Sequence, residues 1–169
     1  MAKNISETQI WHKIAKSLNK AKLSYVLVGG AALAVHGAPR STLDLDIYIP
    51  ADEKSINKTF KIADSLGLQT DQKAILGIAH LPKLCANQWI CFSYKGQDIL
   101  DVFLTDNNKF KNLYKNSKIK KDKKISIRIA SLRDIASMKK ASGRPIDLSD
   151  LNLIKEIMKY KKESAGAKQ

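Results

Sequence analysis

The stretch from Tyr25 to Pro50, YVLVGGAALAVHGAPRSTLDLDIYIP, narrows the folds open to this chain more than any other. An apolar run, SYVLV over 24–28, stops at Gly29-Gly30. A helical segment follows from Ala31 to His36, then a basic loop, then a second strand over 43–49 that carries Asp44 and Asp46. Residues two apart on a strand share a face, so alternation points both carboxylates the same way. Side by side among Leu and Ile they repel each other and are costly to desolvate. A hard divalent cation such as Mg²⁺, which takes oxygen ligands, relieves both penalties. The Gly-Gly turn opens a helix, where backbone N–H groups and the helix dipole can hold a phosphate. Together these features point to phosphoryl or nucleotidyl transfer chemistry.

A third carboxylate lies further along, at Asp101 in the run ILDVF. An aspartate between Leu100 and Val102 on a strand is expensive unless it is paired or binds metal. Alternation puts Ile99, Asp101 and Phe103 on one face and Asp98, Leu100 and Val102 on the other. If this strand lies beside 43–49, Asp101 faces Asp44 and Asp46. Three converging carboxylates hold one or two Mg²⁺ ions, one orienting a triphosphate and the other lowering the pKa of an attacking hydroxyl. Asp101 or an adjacent acid can also serve as general base. The competing readings are a solvated strand end for Asp44 and Asp46, and an edge-strand charge for Asp101. Asp98 is the rival third ligand, but beside a hairpin turn it is assigned to solvent.

Around these motifs the chain reads as α-β-α-β-α-β-β-β-α-α. Helical spacing runs over about 5–22, with Ser6 or Thr8 as its cap, and over Ala51 to Leu66, closed by Gly67. Residues 68–88 carry no clear pattern. Strands at 89–94 and 98–104 flank Lys95-Gly96-Gln97 as a hairpin. A strand at 125–130 precedes a helix capped by Ser131 with Asp134 and ended by Gly143. A last helix starts at Asp147 or Ser149 and runs to about Lys161, with a frayed tail. The fold class is α+β, a mixed sheet with packed helices and a C-terminal helical pair. The expected division is a core over 1–130 and a helical unit over 131–169, packed as one compact domain.

The net charge is +14, with 30 Lys and Arg against 16 Asp and Glu. That balance calls for an anionic partner, nucleic acid or nucleotide. Nine of the basic residues fall between Lys109 and Arg128 with a single acid, Asp122, and with Phe110 and Tyr114 among them. The segment reads either as a track for a nucleic-acid backbone or as a Lys-rich loop. Cys85 and Cys91 do not form a CxxC pair and are expected as buried free thiols. With no apolar run of membrane length and no signal-like start, the expected location is the cytoplasm.

GGAALAVHGAPRSTLDLD resembles the nucleotidyltransferase superfamily of DNA polymerase beta-like fold. Its pattern there is a Gly-Gly or Gly-Ser turn, a helix, and Asp-x-Asp on a strand. The form GGxA, HG, R-x-T-x-D-x-D is similar to the bacterial branch that includes abortive-infection toxins. SLRDIASMKKASGRPIDLSDLNLI is similar to a second block of that branch. The two blocks cover roughly a third of the chain. The resemblance implies an NTP substrate such as ATP, with Gly29 and Gly30 at its triphosphate and Asp44, Asp46 and Asp101 as catalytic metal ligands. Arg40, Thr42 and Lys139 come to the nucleotide by the same resemblance. It also implies NMP transfer to a hydroxyl. The basic balance favours RNA, such as a tRNA 3′ end, as the acceptor. A toxin–antitoxin binding module and a small-molecule transferase are the rival readings. Two departures matter: Ala31 stands where many relatives have Ser, and the spacing to Asp44 exceeds that of the minimal antitoxin-type members, so their protein AMPylation is not carried over. His36 is read as a helix-end cap, Arg40 as either a phosphate contact or a partner of Asp44 or Asp46, and Arg144, Asp147 and Asp150 as a structural ion-pair cluster.

Overall fold

The computed structural model describes residues 7–122 and 125–166. Its elements in chain order are α1 (Glu7–Lys20), β1 (Val26–Val28), α2 (Gly29–Val35), β2 (Leu45–Pro50) and α3 (Glu53–Leu66). A 3₁₀ turn (Lys73–Ile78), α4 (Pro82–Cys85), β3 (Trp89–Tyr94), β4 (Gln97–Thr105) and α5 (Asn107–Asn116) follow. The chain closes with β5 (Lys118–Asp122), β6 (Ile125–Ile129), α6 (Leu132–Ser142) and α7 (Pro145–Gly166).

The six strands form one mixed sheet in the order β3-β4-β2-β1-β6-β5. β1 and β2 are antiparallel, whereas β2 and β4 run parallel. A parallel neighbour needs a long crossover, which α3 and the segment through β3 provide. Val26, Leu27 and Val28 are all buried, as expected for a strand inside the sheet. β2 alternates: Leu45, Ile47 and Ile49 enter the core, while Asp46 and Tyr48 stay on the half-open face. α1 packs on α3 and β6, and Ile14, Leu18, Ile56 and Ile47 are nearly sealed from solvent. None of the described helices is long and apolar enough to cross a membrane.

The expected mixed sheet with packed helices is the observed architecture, and several local expectations change. Asp44 lies in the bend just before β2, not on the strand. The hairpin loop has two residues, Lys95 (φ 53°) and Gly96 (φ 80°), and β4 already begins at Gln97. Left-handed φ at both positions gives the twist that two-residue hairpins favour. α7 starts at Pro145, earlier than Asp147, because proline suits a first helical turn. It continues to Gly166, past Lys161. The proposed cap Ser6, the residue Ile5, the lysines Lys123 and Lys124 and the end of the tail lie outside the described residues.

The Lys-rich segment is not a loop. Asp106 accepts hydrogen bonds from the backbone N–H of Asn108 (2.9 Å) and Lys109 (3.3 Å) and so starts α5. Phe110 and Leu113 bury one face of that helix. Lys118–Asp122 then pairs with β6 as an edge strand.

Candidate functional site

One row of residues crosses four strands. Cys91 on β3 pairs with Asp101 on β4, Asp101 pairs with Asp46 on β2, and Asp46 pairs with Val28 on β1, directly before Gly29. Asp44 joins from the bend, so carboxylate oxygens of Asp44, Asp46 and Asp101 lie within 4.8 Å of one another. All three are half-buried.

At the β1 end of the row the backbone itself makes room. Gly29 has φ +66°, a conformation that side chains disfavour. A Cβ placed there would overlap Asp46 Oδ2 and lie 2.7 Å from Asp46 Cγ. A Cβ on Gly30 would come within 3.1 Å of Thr42 Cβ. The two glycines thus let the start of α2 close onto β2 and the preceding loop. Among the described residues no side chain caps that helix start. Thr42 Oγ1 donates to Asp44 Oδ1 at 2.6 Å, which fixes the carboxylate that β2 does not hold.

The electrostatics of this cluster are those of a site short of positive charge. Burial pushes Asp46 up to about 7, the neighbouring charges of Asp44 and Asp101 add to the shift, and Lys139 and Arg144 oppose it. Burial also raises Asp101, against hydrogen bonds from Cys91 and Trp89. Among the described residues, none hydrogen-bonds the buried Oδ1 of Asp101. A buried carboxylate oxygen without a donor is costly. Three hard oxygen ligands around such an atom suit a divalent cation, which takes oxygen donors at just over 2 Å in the case of Mg²⁺. The residues present therefore fit a metal site.

A second cluster stands behind the first. Lys139 Nζ lies 2.8 Å from Asp147 Oδ1 and 2.7 Å from Asp150 Oδ2. Arg40 Nε donates to Asp150 Oδ1 at 3.1 Å, and Arg144 Nε to Asp147 Oδ2 at 3.0 Å. Asp147 and Asp150 are almost fully buried. Burial works against the Asp147 carboxylate, yet hydrogen bonds from Arg144, Lys139 and Ser142 hold it well below the usual range. The expected ion-pair cluster of Arg144, Asp147 and Asp150 is present, and it also takes in Lys139 and Arg40. Arg40 pairs with Asp150, not with Asp44 or Asp46. The backbone N–H of Arg144 also donates to Asp147 Oδ2 at 3.2 Å, half of a capping box at the start of α7. The cluster therefore ties the loop that delivers Thr42 and Asp44 to α6 and α7. His36 has a supporting role: its Nε2 lies 2.8 Å from the Ala130 carbonyl oxygen.

The surroundings of Asp101 on the β3 side went unread in the sequence. A bulge between the hairpin turn and Asp101 is the reason. Ser93 pairs with Asp98 but Phe92 pairs with Leu100, which leaves Ile99 as the extra residue. Ile99 and Leu100 are consequently both buried in succession. Simple alternation put Asp98 and Asp101 on opposite faces and Ile99 with Asp101. The bulge instead brings Asp98 and Asp101 to the same thiol, that of Cys91. Burial pushes Cys91 up to about 12, helped by the neighbouring carboxylates of Asp101 and Asp98. Cys85 is the buried free thiol that was expected, whereas Cys91 is only half-buried.

The family model described as nucleotidyltransferase of unknown function (DUF6036) matches residues 8–159. No curated protein sequence matches the chain. Solved structures with the same fold include a Thermotoga maritima protein described as a nucleotidyltransferase, TM1012. It is 15% identical with TM-score 0.58 over 92% of each chain. The lincosamide antibiotic adenylyltransferase LnuA, solved with lincomycin, is 16% identical with TM-score 0.63 over 91% of this chain and 99% of its own. ANT(2″)-Ia, solved with adenylyl-2″-tobramycin, is 13% identical with TM-score 0.61 over 94% of each.

Proposed function

This chain belongs to the DUF6036 family of nucleotidyltransferases, and from that premise we propose the following reaction. A nucleoside monophosphate moves from a nucleoside triphosphate to a hydroxyl at the Asp44–Asp46–Asp101 cluster. The acceptor oxygen bonds to the α-phosphorus, and the bond from that phosphorus to the pyrophosphate oxygen breaks. The hydroxyl proton passes to a carboxylate of the site, the role we assign to Asp101, and pyrophosphate leaves. Mg²⁺ ions held by the three aspartates would neutralise the triphosphate and acidify the acceptor hydroxyl. The observation that carries this reading is the row from Gly29 through Asp46 to Asp101. It joins a close-approach backbone turn to an acid cluster with a buried oxygen that no described residue hydrogen-bonds.

The remaining residues support that chemistry by position and charge. Gly29 and Gly30 admit the triphosphate close to the backbone. Thr42 orients Asp44. Arg40, Lys139 and Arg144 place three cations against two buried acids. Lys139 and Arg144 partly offset the negative charge around Asp46, which favours an anionic substrate whose stabilisation is mostly electrostatic.

Two acceptor classes have observations in their favour. The net charge of +14 and the lysines of α5 and β5 favour RNA, such as a tRNA 3′ end. A small-molecule acceptor is favoured by an acid-lined cleft next to Asp101, and LnuA and ANT(2″)-Ia, which share the fold, were solved with lincomycin and with adenylyl-2″-tobramycin. A non-catalytic module of a toxin–antitoxin pair has no use for three half-buried carboxylates that repel one another. The test is transfer from each α-³²P-labelled NTP with Mg²⁺, offered total RNA or a small-molecule panel. Label on an acceptor with wild type, absent with Asp44→Asn/Asp46→Asn, supports the reading. No label on any acceptor contradicts it.

A further inference from the structure

Beyond Asp101, on the side away from Gly29, the sheet ends in a cleft of about 620 Å³. It is lined by Asp71, Gln72, Trp89, Cys91, Ser93 and Asp98, among others. The wall formed by residues 69–72 is built, not incidental. Gln72 Nε2 donates to the Trp89 carbonyl at 2.7 Å, and its Oε1 accepts from Cys91 N at 2.7 Å. Gln69 and Ser93 exchange two backbone hydrogen bonds, each 2.8 Å. A segment without regular structure is thereby stitched to the edge of β3, and the cleft keeps its shape without a ligand.

Its chemistry departs from the rest of the molecule. The chain carries 30 Lys and Arg against 16 acids. Among the described residues that line the cleft none is a Lys or Arg, and two are the exposed aspartates Asp71 and Asp98. Trp89 is 47% exposed, unusual for a tryptophan unless its face meets something. An aromatic face beside carboxylates holds ammonium groups and the C–H faces of sugar or cyclitol rings. Two added acids repel a polyanion, so the phosphate backbone of RNA is a poor fit.

Its position agrees with the reaction. The order across the sheet is Gly29, Asp46, Asp101, Cys91, cleft. With the triphosphate on the glycine turn, pyrophosphate leaves on the β1 side of the carboxylates. In-line displacement requires the attacking oxygen on the opposite side. That side is the cleft.

We propose that this cleft is the acceptor site and that it takes a small polyhydroxylated molecule bearing at least one amine. The inference rests on the nucleotidyltransferase reading above. The lysines of β5 lie at the far edge of the sheet, with β4, β2, β1 and β6 between them and β3, and they do not line the cleft.

The test is NMR titration of the full chain with Mg²⁺ and a non-hydrolysable ATP analogue. The diaminocyclitol 2-deoxystreptamine, its uncharged counterpart myo-inositol and a short RNA are then added separately. Shifts of the Gly29 and Gly30 amides report the nucleotide. The Trp89 indole N–H reports the cleft. The expected result is a saturable shift of Trp89 with 2-deoxystreptamine, at least tenfold weaker with myo-inositol and in Asp98→Asn or Asp71→Asn. Glycine shifts with an unmoved Trp89, unchanged affinity in both aspartate variants, or an RNA-induced Trp89 shift would each overturn the cleft assignment alone. Unmoved glycine amides would instead overturn the nucleotidyltransferase reading beneath it.

Discussion

The carboxylate of Asp46 rests against the Cα of Gly29, in space that any side chain at position 29 would fill. The turn that is proposed to receive phosphate and the acid that is proposed to hold metal are therefore one packing unit. Gly29→Ala should disrupt both at once. The left-handed φ costs about 1–2 kcal/mol for a non-glycine residue, and displacing Asp46 adds to that. The expected outcome is a lowered denaturant midpoint together with loss of divalent-cation binding, read by chemical unfolding and calorimetry.

Asp46 makes stability depend on pH with a definite sign. Its pKa in the folded state, about 7, lies above the ordinary 3.8, because burial and the Asp44 and Asp101 charges disfavour ionisation. The unfolded chain gives up that proton first. The metal-free protein should thus lose stability as pH rises from about 4 to 7 and stay lower above it. Asp46→Asn removes this penalty. At pH 8 without metal, the variant should melt higher than wild type by about 3–8 °C, corresponding to about 1–3 kcal/mol. Mg²⁺ should raise the melting point of wild type and leave the variant unmoved. Differential scanning calorimetry with and without the ion measures both.

Asp150 joins Arg40 on the loop before β2 to Lys139 on α6. Asp150→Ala leaves a buried lysine short of a partner and frees Arg40. Breaking one side of a buried ion pair costs about 3–5 kcal/mol. The same change should weaken metal affinity, since the Arg40–Asp44 loop loses its anchor. Urea unfolding checks the first effect and Mg²⁺ titration the second.

Cys91 should be a slow thiol. Burial and its contacts with Asp101 and Asp98 hold it near 12, so almost no thiolate is present at pH 8. Iodoacetamide should label it about 100-fold more slowly than an unstructured cysteine, the lost thiolate being partly offset by higher intrinsic nucleophilicity. Asp101→Asn should speed labelling. Mass-spectrometric rates resolve Cys91 from the fully buried Cys85.

What could be read from the chain follows the range of the forces involved. The Gly-Gly turn, the β2 alternation and the Ser131 cap are local, and each was visible as residues. Asp101 could be matched to Asp46 because two apolar strands with unpaired acids have few inexpensive arrangements, and the parallel β2–β4 register supplies one. α5 and β5 were hidden by lysines, since Asp106 with Phe110 and Leu113 was a readable helix signal under a charged composition. The bulge at Ile99 could not be read. It flips one residue of register, and only the packing of Ile99 and Leu100 selects it. The place of Asp98, set aside for solvent, and of Cys91 beside Asp101 follows from that bulge. The partners of Lys139 depend on how α7 packs, which no local pattern encodes.

The most direct measurement is isothermal calorimetry of NTP binding with and without Mg²⁺, for wild type and Asp44→Ala. The account predicts binding by wild type that requires the ion and is lost in Asp44→Ala, with the variant still folded by circular dichroism. Binding of equal strength without the ion or without Asp44, or no binding of any NTP by wild type, would contradict it.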